Sequence, residues 1–149
     1  MKKCILVIAL LLLSCTVSMA TDGLITKTSQ HSVQQTMDTL EKIVRDKGFT
    51  VVARINHGAA AASVDANLRP TEVLIFGKPQ LGSKLMQSNQ TIGIDLPVKV
   101  IVWEDANGTV NLGYNDPSWL SKRHGITDKD PVFAKMTGAL KKITDAAVQ

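Results

Sequence analysis

The chain has 149 residues, a formal net charge of +4 from 17 Lys and Arg against 13 Asp and Glu, and only 4% aromatic residues. That length suits one domain with a core of its own. So small a charge excess, with no basic stripe, argues against nucleic-acid binding.

Residues 1–20 read as an export leader. Lys2 and Lys3 form a positive n-region, and Cys4 to Leu13 is an apolar run too short to span a bilayer comfortably. Ser18-Met19-Ala20 sets small residues at the end of the leader, so cleavage is expected between Ala20 and Thr21. Removing residues 1–20 from 149 leaves 129, a single domain over 21–149. Both cysteines, Cys4 and Cys15, go with the leader, and the remaining domain has no disulfide, thiolate nucleophile or cysteine ligand. The expected location is periplasmic or secreted, with no membrane span after leader removal. In an alternative reading, Leu12-Leu13-Ser14-Cys15 resembles a bacterial lipoprotein box and Cys15 is the lipidated anchor. A retained membrane anchor is a third reading, opposed by the lack of any longer apolar stretch after it.

Gly23 to Gln30 alternates apolar and polar residues, the period of a strand. Ser32 with Gln35 forms a capping box, and Val33, Met37, Leu40 and Val44 mark one face of a helix that Gly48 stops. Phe49 to Ile55 is a second strand, rich in β-branched residues. Ala59 to Leu68 is small and helix-compatible, read as a short helix or turn that Arg69-Pro70 ends. Thr71 to Phe76 is a third strand, broken by Gly77 and Pro79. Leu81 to Ser88 reads as a short helix or a lid-like loop. Leu96 to Glu104 is a fourth strand with Pro97 at its start, and Asn107-Gly108 turns it into a fifth at Thr109 to Tyr114. A polar turn is expected from Asn115 to Gly125. Asp130 then caps a last helix with Pro131 at its first position, and Phe133, Met136, Leu140, Ile143 and Ala147 lie on one face.

The order is β-α-β-β-β-β-α. Two amphipathic helices need one apolar surface each, which predicts an α+β two-layer sandwich: a five-stranded, largely antiparallel sheet with both long helices on one face. The fourth strand carries Val98, Val100 and Val102 on one face and Ile101 and Trp103 on the other. A strand apolar on both faces asks for cover on both. A homodimer supplies it, or residues 79–90 folded as a lid with Leu81, Leu85 and Met86 inward.

Several stretches resemble signatures of the domain-of-unknown-function family 302: RPTEVLIFGKP at 69–79, TIGIDLPVKVIVWED at 91–105 and YNDP at 114–117, with GFTVVARINH at 48–57 and the closing helix in keeping. The resemblance spans about 23–147. It implies a β-α-β4-α fold and, in some members, a homodimer. It supplies no reaction, substrate or cofactor. Lys78 departs from the family pattern, in which Asn is expected between Gly77 and Pro79.

Motifs that name a chemistry are scarce. His31, His57 and His124 are scattered, without metal-ligand spacing. His57 ends the second strand, where Arg69 or Asp65 can approach it. Met37, Met86 and Met136 read as packing residues. No G-x-S-x-G, phosphate loop or dinucleotide fingerprint occurs. Asn89-Gln90-Thr91 and Asn107-Gly108-Thr109 match the glycosylation pattern, the second being a turn.

What remains is a set of charges around two apolar strands: Arg69, Glu72, Asp95 and Lys99, with His57 beside them. A lysine in a strand of Val, Ile and Trp must face water or find a partner. In the plainest reading Glu72 and Lys99 pair across the third and fourth strands, at a sheet edge or dimer seam. In the functional reading Arg69 and Lys99 hold a small polar or anionic ligand that Glu72 or Asp95 helps to orient. No catalytic residue, metal or cofactor is implied. The expected function is non-enzymatic binding of such a ligand or of a partner protein. The alternative is an enzyme acting on a small polar substrate with the same four residues.

Overall fold

The computed structural model describes residues 23–149. The expected leader at 1–20, its cleavage between Ala20 and Thr21, and the alternative at Cys15 lie outside the described residues.

Five strands form one antiparallel sheet in the order β1-β5-β4-β3-β2. They are β1 Leu24–Thr28, β2 Thr50–Asn56, β3 Thr71–Gly77, β4 Val98–Glu104 and β5 Val110–Asn115. Two long helices, α1 Val33–Asp46 and α5 Asp130–Ala147, pack against each other and cover one face. The architecture is the α+β two-layer sandwich that the sequence predicts.

Local chemistry sets the ends of these elements. The Ser32 side chain accepts from the Gln35 amide, and Gln35 Oε1 accepts from the Ser32 amide in return, which closes the capping box of α1. Gly48 then takes a φ of +67°, a conformation that strains any residue with a Cβ. Between β4 and β5, Asp105 Oδ1 accepts from the amides of Asn107 and Thr109 while Gly108 adopts positive φ. Those two backbone bonds hold the Asp105 carboxyl below its usual range.

The covered face follows the period of two. On β3 the buried residues are Glu72, Leu74 and Phe76, and on β4 they are Val100 and Val102. They meet Met37, Leu40 and Val44 of α1 and Leu140 and Ile143 of α5. Burying a side chain of this size contributes about 1.5–3 kcal/mol relative to leaving it exposed. The opposite face carries Val73, Ile75, Ile101 and Trp103, all half-buried. Trp103 lies so close to Gly113 that a Cβ there would meet its ring at 3.1 Å.

Four expectations need correction. The helix expected at 59–68 is α2, His57–Ala62, which starts earlier because the Asn56 side chain caps the Ala59 amide. The polar turn expected at 115–125 contains α4, Pro117–Arg123, with Asp116 as its cap and Leu120 buried. Asp130 is the first residue of α5 rather than its cap, a place taken by Lys129. The segment 79–90 is no lid over the second sheet face. It forms α3, Pro79–Ser88, followed by a 3-10 turn at Gln90–Ile94, on the helical side. There Leu85 and Ile92 join Leu120, Ile126 and Phe133 in a second core cluster, with Met86, Val132 and Met136 against it.

Candidate functional site

The five residues singled out from the sequence do not converge. Glu72 pairs with Val102 in register and Lys99 with Ile75, so they lie about 10 Å apart along the strands and on opposite faces of the sheet. The expected Glu72–Lys99 pair is therefore absent, for the same reason that the period-two pattern buries Glu72 and exposes Lys99. The Lys99 ammonium instead donates to the carbonyls of Ile94, Asp95 and Pro97 at 3.4–3.5 Å. Arg69 donates from Nε to the Glu104 carbonyl at 3.1 Å, and exposed His57 opens α2. Both belong to the Glu72 end of β3, whereas Asp95 and Lys99 belong to the Phe76 end.

Glu72 has a different partner. Arg54 of β2 donates from Nε to Glu72 Oε2 at 2.6 Å and from Nη1 to Asp38 of α1 at 2.5 Å, with Glu41 at 3.4 Å. Burial alone would depress the guanidinium pKa, but the bonds to Glu72 and Asp38 outweigh it and hold the group above its ordinary value. Arg54 was missed in the sequence, although an arginine in an apolar strand asks the same question as Lys99 does. Its network ties α1 to β2 and β3.

Asp95 also has another partner. Its Oδ2 lies 2.6 Å from His124 Nε2, and His124 Nδ1 lies 3.1 Å from Thr91 Oγ1. Asn89 completes the link by donating from Nδ2 to the His124 carbonyl at 2.8 Å. The His124 side chain is 6% exposed and that of Asp95 12%. This carboxylate–imidazole–hydroxyl chain pins the 3-10 turn to the end of α4. The residues sit 29 positions apart, so nothing in local spacing signals the contact.

The most apolar concavity lies elsewhere, where α3 and α5 meet the Phe76 end of the sheet. It is an apolar cavity of about 230 Å³. Phe49 and Phe76 form one wall, Leu81 and Gly82 of α3 a second, and Met136 and Ala139 of α5 a third. Gly82 keeps the α3 wall thin: a Cβ there would touch only Leu96 and Met86, at 3.8 and 4.0 Å. Lys78 is the one charged residue lining the cavity among the described residues. Its ammonium sits 4.5 Å from the centroid of the Phe49 ring. The sequence offered one signal for this site, the lid-like reading of 79–90. The α5 half, which takes its residues from the core face of an ordinary amphipathic helix, carried none.

Comparison with known proteins sets these features in context. Residues 25–143 match the family model described as domain of unknown function DUF302. The fold resembles that of an uncharacterized conserved protein DUF302 from Bacillus stearothermophilus. The TM-score is 0.67 at 21% identity, covering 85% of this chain and 96% of that one. Two relatives named fluoride-specific ion channel FluC 1, from Brucella suis and Brucella abortus, are each 42% identical over 123 residues. That stretch is 81% of this chain but 48% and 46% of theirs, so the chain spans about half the length of the curated relatives it matches. No helix among the described residues is long and apolar enough to cross a membrane.

Proposed function

The chain belongs to the DUF302 family of domains of unknown function, and on that premise we propose that it is a small binding or accessory domain whose ligand enters the cavity under α3. The observation that carries this reading is the cavity itself. Well-packed interiors leave few voids larger than a water molecule. A dry cavity of 150 Å³ lined by Leu, Ile and Phe is known to accept benzene, and the cavity here is about half as large again. Its lining offers one hydroxyl, Thr50, and one amine, Lys78, with no carboxylate or imidazole to act as a base for either, which favours binding over catalysis. The Brucella relatives support the accessory part of the reading, since a stretch similar to this chain makes up less than half of each. The domain works outside the cytoplasm in this proposal, periplasmic or secreted after loss of residues 1–20, or tethered through Cys15. Intact mass of protein taken from the envelope decides between a start at Thr21 and a lipidated Cys15.

A thermal-melt titration of the purified full chain with 1-octanol tests the cavity. The melting temperature rises with octanol in the native protein and stays flat in Ala139→Leu, whose larger side chain occupies the space. An equal rise in both proteins, or none in either, overturns the reading.

Self-association is a second reading, favoured by the half-buried Val73, Ile75, Ile101 and Trp103 on the sheet face that neither long helix covers. A contiguous apolar surface of this kind marks an interface. In this reading a second copy of the chain covers that face. Light scattering at micromolar concentration then gives twice the monomer mass for the native protein and a single one for Trp103→Lys. A monomer mass for the native protein, unchanged on concentration, contradicts it.

A further inference from the structure

We infer, resting on the reading of the cavity as a ligand site, that its occupant is a single-chain amphiphile with an anionic head, of the class of medium-chain carboxylates. Three features carry this. First, the walls are mostly apolar side chains, drawn from five elements (β2, β3, β4, α3 and α5), so the part of the ligand that goes inside must be hydrocarbon. Second, scaling from benzene in 150 Å³, a space of about 230 Å³ takes roughly nine heavy atoms, which suits a chain of about eight carbons and excludes a two-chain lipid.

The third feature is Lys78. It stands at the N-cap of α3, where its side chain makes no capping bond. Ser, Thr, Asp and Asn are the residues that cap helices, and a lysine offers no acceptor for the exposed amides. The side chain turns to the Phe49 ring instead, half-buried, and holds its ammonium where a cation–π contact orients it. None of the ion pairs among the described residues includes Lys78. A cation at the margin of an apolar cavity, without a carboxylate of its own, is matched by a carboxylate on the end of a hydrocarbon chain. The chain goes down between Leu81, Gly82 and Ala139, and the head remains at Lys78.

Calorimetric titration of the full chain with octanoate, 1-octanol and octyltrimethylammonium tests the inference, with Lys78→Asn as the variant. Asparagine restores a capping side chain to α3, so this variant is expected to fold at least as well as the native protein. Octanoate binds the native protein about tenfold more tightly than octanol, and the cationic probe binds most weakly. In Lys78→Asn the preference for octanoate disappears while octanol binding is unchanged. If octanol and octanoate bind equally and Lys78→Asn alters neither, the anionic head is refuted and the cavity reading stands. If no probe binds the native protein, both readings fail together.

Discussion

Two cations stand near opposite ends of the β2–β3 pair, and they differ in what surrounds them. Arg54 has Glu72, Asp38 and Glu41 within reach, so its charge is satisfied inside the fold. Lys78 has the face of Phe49 and an apolar cavity. The Arg54 end is closed by ion pairs that tie α1 to the sheet. The Lys78 end is spanned by α3 and contains unfilled space. Composition alone would rank the charged end as the site, because that is where polar groups are concentrated. Satisfaction of charge reverses the ranking: a cluster whose charges neutralise one another holds the fold together, whereas a cation without a carboxylate beside empty space has something left to bind.

The comparison can be broken first at Arg54. Arg54→Ala leaves the Glu72 carboxylate, 7% exposed, without its partner. Stranding a fully buried charge costs about 3–5 kcal/mol, but Arg54 is partly solvated, so the expected loss is about 2–3 kcal/mol in a urea melt. A midpoint equal to that of the native protein would show that the network contributes nothing. Asp95→Ala comes next. It strips the buried His124 of a 2.6 Å hydrogen bond, with an expected cost of about 2 kcal/mol and faster amide exchange from Gln90 to Ile94. Unchanged exchange there would mean that the bond does not hold the 3-10 turn.

At the other end the sign is opposite. Ala139→Leu fills unoccupied space and should stabilise the ligand-free protein by about 1 kcal/mol. A loss of 1 kcal/mol or more would mean that the space is too small to be filled, and would remove the contrast between the ends. Lys99→Ala has the smallest expected effect, about 0.5 kcal/mol or less, because its ammonium is exposed. A larger loss would show that its three contacts to carbonyls brace the 3-10 turn.

Acid sharpens the same contrast. The bond from Arg45 holds the Glu41 carboxyl below its ordinary value of 4.5, against the opposing effect of burial. A carboxylate with a lowered folded pKa stabilises the fold above its unfolded pKa, and that stabilisation is lost as pH falls through the folded value. Lowering the pH through 4.5 and below is therefore expected to speed amide exchange in α1 before α3, and simultaneous loosening of both helices would count against it.

The five strands in chain order, the two long helices and the covered face were legible because each rests on short-range pattern: the alternation of β3 and β4, the capping box at Ser32 and Gln35, and the apolar stripe from Phe133 to Ala147. The short helix α4 was also within reach, since Asp116-Pro117 has the form that marked Asp130-Pro131. The contacts of the candidate residues were not. Glu72 chooses Arg54 over Lys99 through sheet register and face, and Asp95 meets His124 through the packing of α4 against the 3-10 turn. Both are tertiary facts with no local signature. The resemblance to the family helped with the fold and was silent on the cavity, except that it made Lys78 conspicuous as a departure.

The claim that a ligand enters under α3 is tested most directly by amide-resolved NMR of the full chain titrated with 1-octanol. The account predicts saturable shifts confined to residues 79–88 of α3, 132–143 of α5 and the ends of β2 and β3 near Thr50 and Gly77. Shifts centred instead on Val73, Ile101 and Trp103 of the open sheet face, or no saturable shifts at all, would contradict it.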